Sequence, residues 1–200
     1  MTNLVTSLVT PRLRLRSWTD DDLEPMVAIC TDPEVMRFFP RPNTRDEVVA
    51  LLDRQRRRLA AGEPGLFAAE RLEDGRLLGF VGLARPSFEA PFIPCVEVGW
   101  RLGRDAWGHG YATEAARAAV EHGFTTLGLD ELVSFTSVGH DRSRAVMRRL
   151  GMHHDPADDF DHPRLAEGHP LRRHVLYRLR REEWRSTQDP APAPGASLER

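Results

Sequence analysis

Lysine is absent from this 200-residue chain, and its 28 basic residues are all arginine. That absence excludes a P-loop, whose Gly-Lys-Ser/Thr signature brings a lysine to the phosphates. An all-arginine complement reads first as the codon bias of a GC-rich genome. Cysteine is nearly missing: Cys30 and Cys95 are too few for a disulfide framework. Each sits among apolar residues and is expected as a buried thiol. No run approaches the roughly 18 apolar residues of a membrane span. Met1 to Thr10 lacks the basic start and long apolar core of a signal peptide. An excess of either charge is also missing, since the formal net charge is −2. Neither nucleic acid nor an anionic membrane is an expected partner. The expectation is a soluble, cytoplasmic protein, monomer or homodimer.

What is present is a sequence of alternating patterns. Arg12-Leu13-Arg14-Leu15-Arg16 has the period of a half-buried strand. Thr19 followed by Asp20, Asp21 and Asp22 predicts an N-cap and a helix running toward Thr31. Thr44-Arg45-Asp46-Glu47 is a capping box, with Val48, Leu51, Leu52, Gln55 and Leu59 at helical spacing until Gly62. Two strands, 66–72 and 76–83, flank an Asp74-Gly75 turn and predict a hairpin. Further strands are predicted over 95–102, 132–138 and 174–180. A helix with Ala112, Ala115, Ala116, Ala119, Val120 and Phe124 on one face follows residue 110. Another spans Asp141 to Leu150, with Gly151 just past its end. The order β-α-α-β-β-β-α-β-α-β implies an α/β domain of the α+β type, with a mixed sheet and helices on its faces. One domain is expected over 1–185, with a disordered Pro- and Ala-rich tail over 186–200.

The segment Trp107-Gly108-His109-Gly110-Tyr111-Ala112 joins a strand to a helix. Glycine at 108 and 110 permits turns and close approach that a Cβ would obstruct. The helix start offers unsatisfied N–H groups and a positive dipole end, which suit a phosphate. A dinucleotide fingerprint fits poorly, because position 113 is Thr and the segment lies mid-chain after a hairpin. Two glycines in an ordinary strand-to-helix turn is the plain alternative.

Three segments together resemble the GNAT superfamily of N-acetyltransferases: Val96-Glu97-Val98-Gly99-Trp100, Trp107 through Ala115, and Ser143 through Met152. With the Thr10-Pro11-Arg12-Leu13-Arg14 opening, they resemble its RimJ/RimL-type branch, which acetylates protein N-terminal amines. The resemblance covers about Thr10 to Arg181. It implies a mostly antiparallel sheet splayed between the strands at 95–102 and 132–138. It also implies acetyl-CoA as cosubstrate, with its diphosphate on the amides from Trp107 to Ala112. The backbone of Val98, Gly99 and Trp100 would pair with the pantetheine arm and polarise the thioester carbonyl.

Acetyl transfer to an amine needs a neutral nucleophile, a stabilised oxyanion and a proton for the departing thiolate. An α-amine with a pKa near 8 is already about a tenth neutral at pH 7, so the demand on a base is modest. Glu97 is the candidate base, acting through a water or with a raised pKa; an outward-facing surface charge is the alternative. Strand alternation puts Val96, Val98 and Trp100 on the opposite face from Glu97 but does not say which face meets substrate. Departures from the family pattern are specific. Asp105 stands where Gln or Arg is common, and is expected to point away and cap the turn. Arg104 or Arg101 would then supply positive charge. His140 replaces a usual Asn, and Met147 replaces a tyrosine that often serves as acid. Ser143 matches a position that contacts the coenzyme sulfur, so it is the candidate hydrogen-bond donor to the thiolate. A water or His140 would be the proton source.

The segment from His153 to His174 is rich in His and Asp without a compact zinc spacing, and no metal is expected. Its side chains suit recognition of a cationic amine and relay of its proton, with His174 expected nearest the acceptor. Phe38 and Phe39 are candidates for an apolar wall there. Cys95 lacks a His partner, so transfer is expected to be direct, in a ternary complex. The acceptor class is a protein N-terminal or small-molecule amine. The competing reading is a non-catalytic acyl-CoA sensor on the same fold.

Overall fold

The computed structural model describes residues 7–188. Strands β1 (Ser7–Val9) and β2 (Leu13–Arg16) form a first antiparallel pair. A 3₁₀ turn then leads into α1 (Leu23–Thr31), and α2 (Arg45–Ala60) follows. Both expected starts are realised in hydrogen bonds. Asp22 accepts from the Thr19 amide at 2.7 Å, and Glu47 accepts from the Thr44 amide at 2.8 Å. Strands β3 (Leu66–Arg71), β4 (Leu77–Ala84) and β5 (Glu97–Leu102) continue the antiparallel sheet. Helix α3 (Tyr111–Thr125), β6 (Glu131–Ser137) and α4 (Asp141–Arg149) come next. Gly151 closes α4 with φ of 80°, its amide donating to the Arg148 carbonyl.

Where a loop was expected, the histidine-rich segment contributes two short strands, β7 (His153–His154) and β8 (Phe160–Asp161). Both pair with β9 (Arg173–Arg180), which also pairs with β6. Helix α5 (Arg181–Gln188) extends three residues into the stretch read as tail, because Trp184 buries itself against the α3 side of the core. The remainder of that stretch lies outside the described residues.

The sheet order is β1-β2-β3-β4-β5-β6-β9-β7, with β8 beside β9. All pairings are antiparallel except β5 with β6, which are parallel and in register only at Glu97 and Val133. Past that point the two strands diverge, and the sheet splays. Two cores flank it. On one face α3 lays Ala115, Ala116, Ala119 and Val120 against Val81, Leu83 and Val98. Those alanines are fully buried, and a larger residue would push the helix off the sheet at about 1–3 kcal/mol. On the other face α1 and α2 pack Met26, Cys30, Val48 and Leu52 against Ala68 and Phe80.

Candidate active site

The splay opens a cleft of about 1560 Å³ that passes between β5 and β6 from one sheet face to the other. Its lining joins residues far apart in sequence: Phe38 and Phe39, Glu97 and Gly99 to Leu102, Ala106 to Gly108 and Gly110 to Glu114, Ser134 to Thr136, and Gly139 to Ser143. Val98, wholly buried, and His109 are not part of the lining.

At the α3 end lies the glycine turn. Gly108 and Gly110 have φ of 80° and 82°, the left-handed region in which a side chain is strained. A Cβ on Gly108 would meet nothing within 4 Å, so its need for glycine is conformational rather than steric. The Trp107 indole anchors the turn by donating to the Leu102 carbonyl at 2.9 Å. Among the described residues, the amides of Gly108 through Thr113 donate to no backbone carbonyl. These free donors converge at a helix start and fit a diphosphate.

The opening segment of the chain holds this turn in place. Glu114 accepts from the Thr10 hydroxyl at 2.7 Å and the Arg12 amide at 2.9 Å, and the Arg12 guanidinium also reaches the His109 carbonyl. Burial works against the Glu114 charge, but these hydrogen bonds hold its carboxyl below the usual range. The expected sources of positive charge are not there. Arg104 pairs with Asp32 at 2.7 Å, away from the turn, and Arg101 lies on the opposite sheet face against Cys30 and Asn43. Asp105 does point away and pairs with Arg76. Two cations stand beside the turn: Arg12, paired with Glu114, and Arg142 of α4, 4.7 Å from the centre of the Trp107 ring and without a carboxylate partner among the described residues. The sequence signal of Arg142 was only its place one residue before Ser143.

Glu97, Gly99 and Arg101 share the α1/α2 face, whereas Val98 and Leu102 are buried against α3. Glu97 is therefore not an outward-facing surface charge. It forms no hydrogen bond or ion pair among the described residues, and its carboxyl folds back over Gly99. Packing around it strips away water, and this desolvation pushes the carboxyl up to about 8. Cys95, half-buried rather than fully buried, shares that face; burial and then the Glu97 charge push its thiol up to about 11, so it is not a thiolate nucleophile. Cys30 is fully buried, as expected.

His140 sits where β6 gives way to α4. Its ring stacks on Phe38 with centroids 4.0 Å apart, and Nδ1 meets the Thr136 hydroxyl at 2.9 Å. Burial, aided by neighbouring Arg142, lowers its pKa to about 4. At neutral pH the ring is therefore uncharged and holds no imidazolium proton. Ser143 is 7% exposed and lines the cleft, and its hydroxyl forms no hydrogen bond among the described residues. Met147 is wholly buried in the core.

The histidines separate into two groups. His153 meets Glu183 and His154 meets Asp159, both away from the cleft. His162 and His174 line the cleft with ring centroids 5.0 Å apart, beside Phe135. His174 was expected there; His162, twelve residues earlier, was missed because β8 brings it alongside β9. Burial lowers both, His162 to about 4. His174 donates from Nδ1 to the Arg172 carbonyl at 3.0 Å, which in the neutral ring leaves Nε2 an acceptor. The aspartates of this segment do not face the acceptor end: Asp158 pairs with Arg178 and Asp161 with Arg172 and Arg173. Among the described residues no group of three or more His, Cys, Asp or Glu is placed to hold a metal ion. Phe39 does line the cleft, stacked against Arg101.

Comparison with known proteins bears on this geometry. Residues 12–153 match the model of the acetyltransferase (GNAT) domain. An FsC-acetyl coenzyme A-N(2)-transacetylase of Aspergillus fumigatus is 33% identical over 195 residues, spanning 92% of this chain and 80% of that protein. Among solved structures, a GNAT-family acetyltransferase from Bacillus anthracis superposes with a TM-score of 0.73 at 21% identity, covering 88% of this chain and 99% of its own. An acetyltransferase from Agrobacterium tumefaciens gives 0.69 at 26% identity, over 88% and 94%.

Proposed function

This chain belongs to the GNAT acetyltransferase family, and from that premise we propose that its cleft moves an acetyl group from acetyl-CoA directly to a primary amine within a ternary complex. One observation carries the reading: the splay between β5 and β6 joins a turn of free amides to an unpaired, desolvated carboxyl. Donor and acceptor enter from opposite sheet faces and meet in the gap.

The free amides of 108–113, with Arg142 beside them, hold the diphosphate. The diverging backbone of Val98, Gly99 and Trp100, which has lost its β6 partner, is free to pair with the pantetheine amides and orient the thioester carbonyl. Glu97 takes a proton from the amine, directly or through one water. A carboxyl with a pKa of about 8 matches an amine far better than an ordinary glutamate. The Ser143 hydroxyl donates to the sulfur as negative charge develops there. His140, neutral and tied to Thr136, passes a proton from water rather than supplying its own. We place the chain in the RimJ/RimL-type branch on the Trp107–Ala115 segment and on the Thr10–Arg12 opening that ties down Glu114.

Thiol release from acetyl-CoA, measured across a panel of peptide N-termini and small primary amines, tests the proposal. Amine-dependent release with an N-acetyl product, following sequential rather than ping-pong kinetics, is the expected result. Coenzyme binding without turnover on any amine, or an acetylated enzyme intermediate, would overturn it.

A further inference from the structure

Arg101 has no counter-ion among the described residues. Its Nη1 donates to the Asn43 side-chain oxygen at 2.9 Å and lies 3.2 Å from the Cys30 sulfur. The Phe39 ring centre is 4.2 Å from the guanidinium and that of Phe80 is 5.2 Å away. Its Nε is buried and without a partner, and no carboxylate pairs with it among the described residues. Aromatic faces and one amide oxygen attract a guanidinium but do not neutralise it. Arg101 is half-buried, with its Nε withdrawn from water, and a charge so placed is ordinarily paired. Arg101 nevertheless lines the cleft, on the same sheet face as Glu97. Between the two stands Gly99, where a Cβ would meet only the Glu97 carboxyl, so the floor joining them is open. Arg37 and Arg164 also line this end, and neither pairs with a carboxylate among the described residues. Glu34 and Glu97 are the acids there; Glu97, with its raised pKa, is largely uncharged at neutral pH.

We infer that Arg101 is an anion anchor in the acceptor half of the cleft, binding a carboxylate of the molecule whose amine is acetylated. The anion site stands on the Arg101 geometry alone; the amine at its other end rests on the transfer reading above. The strand sets the span. Alternate residues on one face are about 6.7 Å apart, so amine and carboxylate should lie roughly 7–13 Å from each other. That suits an ω-amino acid or a short peptide with a free C-terminus, and is too long for the α-amine of a single amino acid.

Two measurements test this. The first needs no turnover: hexanoate is titrated into the coenzyme A-bound protein while the arginine Nε–H signals are followed by NMR. The Arg101 signal is assigned by its loss in Arg101→Lys. A saturable shift with hexanoate and none with hexanamide is expected; no shift, or an equal shift with hexanamide, overturns the anchor. The second compares kcat/KM for glycine, ε-aminocaproate and triglycine, and for the last two as their amides. The free acids of the longer pair should exceed their amides by about 10- to 100-fold, mainly in KM, as expected for a charged hydrogen bond. Glycine should show no comparable advantage. Arg101→Gln should collapse that ratio. Asn43→Ala, which breaks the structural tie and keeps the charge, should retain it. A ratio that survives Arg101→Gln overturns the proposal. A carboxylate shift with no transfer to any amine would sink the transferase reading and leave the anion site standing. Transfer without the shift would do the reverse.

Discussion

The two halves of the cleft are made of different material. On the proposed reading the donor half is mostly main chain: two left-handed glycines, a run of free amides and a β5 backbone released by the splay, with Arg142 and Ser143 beside them. The acceptor half is side chains: Glu97, His162, His174, Phe39 and Arg101. A backbone site tolerates substitution wherever the dihedral angles survive, so Asp105 can replace the family's common Gln or Arg and still point away to Arg76. A side-chain site changes with every residue. The donor should therefore be common to the family, and the acceptor particular to this chain.

Substitutions that attack one half and spare the other test this division. Glu97→Gln should have the largest effect, lowering kcat by about 10²–10⁴-fold with coenzyme affinity unchanged by calorimetry. In the parent enzyme the rate should rise with pH through about 8, because the base works deprotonated; the variant should lose that limb. Gly110→Val should do the opposite. A β-branched residue at φ of 82° carries roughly 1–2 kcal/mol of strain, so coenzyme A binding should weaken about 5- to 30-fold. Loss of acceptor KM instead of coenzyme affinity would break the division. Ser143→Ala should cost about 5- to 10-fold in kcat, the worth of one hydrogen bond of about 1–1.5 kcal/mol. Its deficit should shrink with thioesters of more acidic thiols, which need less help to leave.

The smallest effect concerns stability. Folded Glu97 keeps its proton up to about 8, whereas the unfolded chain releases it near the ordinary value of 4.5. Unfolding then releases a proton between these limits, so this residue lowers stability as pH rises across that window, with no further loss above it. Glu97→Gln should therefore raise Tm relative to the parent at pH 9 and leave it nearly unchanged at pH 4, by thermal melts. An equal shift at both pH values would mean that the carboxyl is not desolvated.

Much of this was legible along the chain. Capping boxes at Thr19 and Thr44, the Asp74-Gly75 turn and the 108–112 glycines act over a few residues, and the folded protein keeps each of them. The misreadings lie where distant segments meet. The histidine segment looked like one recognition loop, but pairing of β7 and β8 with β9 sends His153 and His154 outward and turns His162 and His174 into the cleft. Arg101, expected to supply charge to the glycine turn, lies on the other sheet face, because strand parity decides which face a side chain occupies and a periodicity of 2 does not name the faces.

The sequence alone therefore determined the elements, their order and the glycine turn with its free amides, since local hydrogen bonds and backbone dihedrals carry that information. Tertiary structure alone decided the chemistry of the acceptor half. The pKa of Glu97, the neutrality of His140 and the solitary charge of Arg101 depend on what the fold packs around each group and how much water it removes.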